Sequence, residues 1–175
     1  MFLNLKALNI PEGSVIRIKT GNTILWEKVK PLVNWARCSI NADGSIYNNG
    51  LGYKNGYRVR SGGTEAESNY AVCTGFIPLK KGETLRIYPP FTGRNNENAI
   101  SFSDESFTTI GQITDSGSCY GVCTSAYKSS VIDGVSTLTV GDKHDSRIAY
   151  VRVTHYSLGT NKGEDIIITV NQEIA

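Results

Sequence analysis

The sequence predicts an all-β protein in which an N-terminal β-hairpin precedes an antiparallel β-sandwich of the jelly-roll type. Short runs of alternating apolar and polar residues, rich in Ile, Val, Thr and Tyr, recur between clusters of Gly, Asn, Asp and Ser. No window carries apolar residues at helical spacing over three turns. The 175 residues include 18 Gly but only 5 Pro, a balance typical of short strands joined by turns.

The composition is that of a folded protein and excludes several function classes. Hydrophobic residues make up 39% and charged residues 19% of the chain, enough apolar surface to offset the entropy of ordering it. The basic residues are scattered or paired at most, as at Lys80-Lys81, so we expect no nucleic-acid partner. No apolar run is long enough to cross a bilayer and the N-terminus lacks a signal-peptide pattern, so we expect no membrane partner and no export.

A hairpin is predicted within the first 35 residues. Alternating runs at 14–19 and 23–28 flank a Gly-Asn pair at 21–22, where glycine accepts the positive φ of a two-residue type II′ turn. The expected register pairs Ile18 with Leu25 and Arg17 with Trp26. In this register the Arg17 guanidinium can stack on the Trp26 ring.

Both faces of this hairpin carry apolar side chains, and a lone two-stranded hairpin is only marginally stable in water. We therefore interpret residues 1–35 as an assembly segment that packs on a second domain, on a copy of itself or on a neighbouring protein. A linker is predicted at Pro31 and at residues 34–37, and a homo-oligomer, for example a trimer, is expected. The apolar assembly residues are Ile16, Ile18 and Leu25 on one face and Trp26, with Ile24, on the other.

Residues 36–175 are predicted to form a second domain of eight or nine strands. The run Ile166–Ile168 followed by Val170 is apolar enough for a central strand buried on both faces. Strands with no helices between them favour antiparallel sheets closed into a sandwich, most plausibly a jelly roll. The predicted strands are 57–60, 71–79, 84–88, 99–103, 108–113, 120–127, 135–140, 149–155 and 165–171.

The four cysteines are interpreted as reduced, buried side chains. Four in 175 residues is sparse for a disulfide scaffold, and Cys119 and Cys123 do not have the spacing of a zinc-binding pair. On an extended strand these two would lie about 13 Å apart, too far for a disulfide. The same interpretation is applied to Cys38 and Cys73.

Two parts of the sequence resemble phage proteins. The stretch from Ile10-Pro11-Glu12-Gly13 to Leu25-Trp26-Glu27-Lys28 resembles a hairpin unit in tail proteins of phages and prophages of Gram-positive bacteria. Three further stretches are similar to the C-terminal sandwich of phage baseplate and tail-fibre proteins and to carbohydrate-binding jelly rolls: Gly56-Tyr57-Arg58-Val59, the segment from Thr74-Gly75-Phe76-Ile77-Pro78-Leu79 to Leu85-Arg86-Ile87, and the segment from Tyr150-Val151-Arg152-Val153 to Thr169-Val170-Asn171-Gln172-Glu173-Ile174.

The resemblance implies a part of the virion tail, made in the bacterial cytoplasm without a signal peptide and often oligomeric. Its implied partners are other phage tail proteins and a host cell-wall or surface saccharide. It transfers no catalytic residue. The alternatives are a tail subunit that binds no ligand and, from another class, a glycan-processing enzyme.

Reactive groups do not form a recognisable catalytic motif. Carboxylate pairs occur at 65/67, 104/105 and 164/165, in or beside predicted turns where carboxylates are usually solvated. His144 lies in a loop and His155 near the end of a strand, without a nucleophile elbow. The loop from Asp142 to Asp145 is a weak candidate for calcium, and we expect no cofactor and no catalytic residue.

A long loop after residue 88 is the candidate ligand site. Saccharide sites combine an aromatic platform with amide, carboxylate or arginine hydrogen-bonding groups, and long loops on a rigid scaffold are where binding tends to occur. The alternative is that the aromatic residues cap the core and the asparagines form turns. The candidate ligand-binding residues are Tyr88, Phe91, Arg94, Asn95, Asn96 and Asn98.

Overall fold

The computed structural model describes residues 17–20, 23–27, 32–91, 98–114, 117–122, 130–132, 134–156 and 162–174, with the backbone alone at 17–20, 23–27 and 130–132. Strands dominate and all of their described pairings are antiparallel, which confirms the predicted fold class. The chain divides into two compact units, residues 1–32 and 33–175. The sequence places this boundary three residues later, after residue 35.

The secondary structure elements follow in chain order. The strands are β1 (Arg17–Thr20), β2 (Thr23–Glu27), β3 (Tyr53–Val59), β4 (Glu65–Thr74), β5 (Ile77–Pro78), β6 (Thr84–Tyr88), β7 (Asn98–Ser103), β8 (Thr109–Thr114), β9 (Cys119–Tyr120), β10 (Ser130–Ile132), β11 (Val135–Thr139), β12 (Tyr150–Tyr156) and β13 (Ile167–Val170). Two short helical turns, α1 (Trp35–Cys38) and α2 (Tyr47–Gly50), precede β3, and a 3₁₀ turn spans Gly163–Asp165. No helix among these described residues is long and apolar enough to span a membrane.

In the first unit, β1 and β2 form the predicted hairpin, but its register differs from the prediction. Thr20 pairs with Thr23 across the two-residue connection, whereas a bulge after Ile18 leaves one extra residue on β2. Ile18 therefore pairs with Trp26, and Arg17 with Glu27, so the predicted Ile18–Leu25 and Arg17–Trp26 pairs are wrong. Ile16, and the side chains of Leu25 and Trp26, lie outside the described part of the chain.

The second unit contains two antiparallel sheets. One has the strand order β10-β11-β6-β13, and the other has the order β3-β4-β12-β7-β8-β9 with β5 also paired to β12. Apolar side chains from both sheets share one core: Leu85, Ile87, Leu138 and Ile168 from the first, and Ile100, Phe102, Ile113, Val151 and Val153 from the second. This packing is consistent with a β-sandwich, and the jelly-roll order of strands stays a prediction.

Strand β13 is not the central strand that its apolar run predicted. It pairs only with β6 among the described strands and forms an edge of the four-stranded sheet. Ile166 and Ile168 are buried in the core, and an asparagine bonds to the open edge of the strand. The Asn34 amide nitrogen donates to Ile166 O at 2.9 Å, and its oxygen accepts from Ile168 N at 3.0 Å. Edge backbone groups are thereby satisfied without another strand.

The predicted linker at 34–37 is wrong. Asn34 is the N-cap of α1, because its side-chain oxygen also accepts from Ala36 N at 3.0 Å. Ala36 is 1% exposed and belongs to the core. The segment therefore covers the edge of the sandwich and does not run free between two domains.

The predicted strand 71–79 divides at Gly75. Ile40 exchanges two backbone hydrogen bonds with Phe76, at 2.8 and 2.9 Å, and Gly75 N donates to Ser39 Oγ at 2.8 Å. A side chain at Gly75 would come within 2.6 Å of Ile40 O, so only glycine lets this segment approach. The sheet consequently exchanges β4 for β5 at this point.

One cysteine departs from the prediction of reduced thiols. Cys119 is disulfide-bonded, whereas Cys38 and Cys73 are free. The distance argument assumed an extended strand over 120–127, but β9 ends at Tyr120 and Gly121 has a φ of 78°. Residues 123–129, including Cys123, lie outside the described residues.

Candidate functional site

The predicted ligand loop is partly a core element. Tyr88 ends β6 and is 45% exposed, but Phe91 is half-buried and packs on the core. Phe91 N donates to Ser136 Oγ at 2.9 Å, and its ring lies 5.8 Å from that of His155. These contacts are those of a residue that caps the core. Arg94, Asn95 and Asn96 lie outside the described residues.

Asn98 opens β7 at a distance along the chain from these aromatics. Its carbonyl accepts a hydrogen bond from the Tyr156 hydroxyl at 3.3 Å. It lines a small cleft of about 250 Å³, and neither Tyr88 nor Phe91 takes part in that lining. The other lining residues are Arg58, Val59, Arg60, Ser61 and Tyr156.

A larger cleft of about 520 Å³ lies where three turns of the second unit converge. Tyr150, the first residue of β12, pairs with Pro78 of β5 on one side and Ser103 of β7 on the other. The residues that follow β5 and β7, and those that precede β12, therefore meet at one end of the sheet. The cleft is lined by Lys80, Lys81, Asp104, Glu105, Ser106, Ser146, Arg147, Ile148 and Ala149.

The turn at residues 104–108 is rigidly built. Asp104 Oδ1 accepts from Ser106 N at 2.9 Å and from Thr108 N at 3.0 Å. Asp104 N also donates to Thr108 O, and Phe107 N to Asp104 O, both at 3.0 Å. These bonds occupy Oδ1 of the Asp104 carboxylate and leave Glu105 and Ser106 at the tip of the turn, where they line the cleft.

Phe107 in this turn has a φ of 62°, a left-handed conformation that is unusual for a bulky side chain. Such strain costs about 1–3 kcal/mol and persists where surrounding contacts hold it in place. Here the contacts are aromatic: the Phe107 ring stacks on Tyr150 with centroids 4.5 Å apart and meets Phe76 edge-on at 4.9 Å. Strained residues of this kind are frequent at binding sites, and this one supports the cleft wall.

The charges of the cleft fall into paired and unpaired groups. Lys81 bridges Asp142 at 2.6 Å, and Arg147 bridges Asp145 at 2.7 Å. Hydrogen bonds from the side chain and backbone of Arg147 lower the pKa of Asp145 to about 2, and the bond from Lys81 lowers the pKa of Asp142. Among the described residues, neither Lys80 nor Glu105 has a salt-bridge partner.

The predicted calcium loop has other contacts. Asp142 and Asp145 each face a basic side chain, as above, and within the described ranges no group of three or more His, Cys, Asp or Glu residues is placed to hold a metal ion. His144 accepts a hydrogen bond from Gly141 N at 3.0 Å, and burial lowers its pKa.

The carboxylate pairs differ in how far they are solvated. Asp104 and Glu105 lie in a turn, as expected. Glu65 begins β4, and its carboxylate accepts hydrogen bonds from Arg152 at 2.6 Å and from the Tyr47 hydroxyl at 2.8 Å. Burial tends to raise the pKa of Glu65, yet these bonds and the Arg152 charge outweigh it and hold the pKa below 4.5. Glu65 is a structural anion, so the expectation of a solvated carboxylate is wrong for Glu65, whereas Glu67 is exposed.

The main cleft is a site that the sequence argument missed. Residues 80–81 and 104–106 each lie between predicted strands, but their convergence depends on the pairing of β12 with both β5 and β7. Comparisons with protein-family models, with curated proteins and with solved structures found no match for this chain.

Proposed function

We propose that this protein is a non-enzymatic component of a phage tail or baseplate and that residues 33–175 bind a host-surface saccharide in the main cleft. The observation that carries the proposal is the set of polar groups left available there. The exposed polar side chains that line the cleft are those of Lys80, Glu105, Ser106 and Ser146. The neighbouring side chains of Lys81, Asp104 and Arg147 already take part in hydrogen bonds or salt bridges within the protein.

This set of groups suits a polyhydroxylated ligand. Sugar hydroxyls both donate and accept hydrogen bonds, so a site for them offers donors and acceptors together. The ammonium of Lys80 donates, the carboxylate of Glu105 accepts, and the two serine hydroxyls do either. Ile148 and Ala149 also line the cleft and add a small apolar part beside these polar groups.

The preorganised turn supports binding because it lowers the entropy that a ligand has to overcome. Asp104 and the strained Phe107 fix the backbone of the turn that carries Glu105 before any ligand arrives. Ordering a loose side chain on binding costs about 0.5–1.5 kcal/mol. A wall built in advance avoids part of that cost.

The assignment to a phage tail is supported by the resemblance of residues 10–28 to a tail-protein hairpin and by the all-β second unit. The hairpin forms, and it is compact enough to make a unit of its own with its flanking residues. We propose that it joins the protein to other tail proteins or to copies of itself.

The test is a calorimetric titration of the protein with purified cell-wall saccharides from Gram-positive bacteria. We expect saturable binding that Glu105→Gln or Lys80→Ala weakens about tenfold or more, since a hydrogen bond to a charged group contributes about 1.5–3 kcal/mol. Arg60→Ala, in the smaller cleft, and the pair Tyr88→Ala with Arg94→Ala, in the predicted loop, are matched comparisons and should bind like the parent protein.

Each other result selects a different conclusion. Loss of binding only in Arg60→Ala, or only in the loop variants, would move the site to that location. Absence of binding to any saccharide tested would leave a structural tail subunit. Turnover of a labelled polysaccharide that stops in Glu105→Gln would replace the binding proposal with a glycan-processing enzyme.

A further inference from the structure

A buried histidine joins the end of β12 to the segment that follows β6. His155 is 2% exposed, and its Nε2 lies 2.8 Å from Pro89 O. A carbonyl can only accept, so Nε2 carries the proton and Nδ1 presents a lone pair. Nδ1 is buried and has no hydrogen-bond partner within the described ranges of the chain.

Among the described residues around this imidazole, none carries a charge that would compensate protonation. Val72 lies opposite on β4, and Pro89 and Phe91 cover the ring from the loop. The titratable neighbours Tyr156 and Cys73 adjoin His155 and Val72 in sequence, so strand alternation directs them to the other face. Burial lowers the pKa of His155, and among the described residues the bond to Pro89 is a weaker effect that raises it.

Within the part of the chain that the structure describes, few polar contacts hold the covering segment, residues 89–91. Apart from the His155–Pro89 bond, it is fixed by the bond from Phe91 N to Ser136 Oγ and by the Phe91 ring. An imidazolium at this place would carry a second N–H with no acceptor in a dry interior, which is costly. Hydrating the charge requires the segment above it to move.

We infer that His155 is a pH-responsive contact that holds residues 89–91 against the sandwich when neutral and releases them when protonated. Because the pKa is lower in the folded state, the contact has its full strength above about 6.5, the ordinary histidine value. It weakens as the pH falls below that value and is lost as the pH falls through the folded-state pKa. This behaviour is independent of any ligand in the main cleft.

The experiment is a pH titration of the intact protein by nuclear magnetic resonance, from about pH 7.5 to about pH 4.5. The chain has two histidines, and the variants His144→Gln and His155→Gln assign their ring signals. We expect the protection of the Phe91 amide, corrected for intrinsic exchange, to fall roughly tenfold per pH unit from about pH 6.5 down to the His155 midpoint. Leu138, in the core strand β11, should keep its protection and so separate local release from unfolding.

The matched variants and midpoints decide the outcome. Release should persist in His144→Gln and disappear in His155→Gln, whose amide still donates to Pro89 O but does not titrate. A Phe91 amide that stays protected through the His155 midpoint overturns the inference, as does release with the same midpoint in His155→Gln. If that variant does not fold, the parent protein alone is the test. Loss of Phe91 amide protection with the same midpoint as the His155 ring signal supports the inference, and a different midpoint overturns it.

Discussion

The side chain of Asn34 completes two elements at once, as the N-cap of α1 and as the partner of the β13 edge. Its side-chain oxygen accepts hydrogen bonds from Ala36 N and Ile168 N, and its side-chain nitrogen donates one to Ile166 O. Replacement by alanine removes all three bonds and leaves partly buried backbone groups unsatisfied. We expect Asn34→Ala to lower the free energy of unfolding by about 2–4 kcal/mol in urea titrations.

The isosteric variant Asn34→Asp is the control for this prediction. A carboxylate keeps the acceptors for Ala36 N and Ile168 N but faces the Ile166 carbonyl without a donor. It should therefore fall between the parent protein and Asn34→Ala. Equal stability of the parent and Asn34→Ala would show that water replaces these bonds without cost.

A glycine gives the second prediction at this scale. A β-carbon at Gly75 would lie 2.5 Å from Tyr47 Cβ and 2.6 Å from Ile40 O, both too close. Gly75→Ala should destabilise the protein by about 1–3 kcal/mol, because the backbone has to shift. Gly141→Ala, where nothing lies within 4 Å, is the matched control. Equal effects of the two substitutions on the urea midpoint would contradict the packing argument.

Among the elements, strands were predictable where one face is buried. Leu85 and Ile87, at most 1% exposed, alternate with Arg86 over the length predicted for β6. Alternation says nothing about the edge position of β13 or the division at Gly75, since both depend on which distant segment approaches. The Asn34 cap was overlooked for the same reason, because two of its three bonds join residues more than 130 positions away.

The seven-stranded sheet carries a charged cluster of Arg152, Glu65 and Lys54, which leads to a prediction about how stability depends on pH. Arg152, 6% exposed, donates to Glu65, to Thr74 O and to Gly63 O, so it ties β12 to β4 and to the turn before it. Arg152→Met should lower the free energy of unfolding by about 2–4 kcal/mol at neutral pH, because among the described residues Glu65 then keeps Lys54 alone as a nearby cation. Arg86→Met, whose partner Glu173 is 81% exposed, should cost about 1 kcal/mol or less.

The pH dependence of this loss follows from Glu65. Its pKa is depressed in the folded state, so its contribution is present above 4.5 and disappears as the pH falls through the folded-state value. The difference between the parent protein and Arg152→Met should therefore shrink below about pH 4. Urea titrations at several pH values measure it, and a difference that stays constant down to acid pH would show that Arg152 acts by packing alone.

For the whole molecule, the sequence predicted the class of fold but not the place of the main cleft. Composition and alternation are local properties, and they were enough to predict antiparallel sheets. The cleft arises from residues 80–81, 104–106 and 146–149, which no local pattern connects. The predicted loop had the right composition for a sugar site, but burial of Phe91 against the core depends on Ser136 and His155, which lie far away in sequence.

The division into two compact units leads to a prediction about assembly. Residues 33–175 contain their own core and their own edge cap, so a fragment starting at Val33 should fold with the far-ultraviolet spectrum of a β protein. If the N-terminal hairpin is the assembly element, the full chain should be an oligomer by multi-angle light scattering and the fragment a monomer. A two-stranded hairpin with apolar side chains gains stability only by packing on something, and association of copies supplies that surface. An oligomer of unchanged stoichiometry in the fragment would place the contact in the sandwich, and a monomeric full chain at micromolar concentration would leave the hairpin to a different partner.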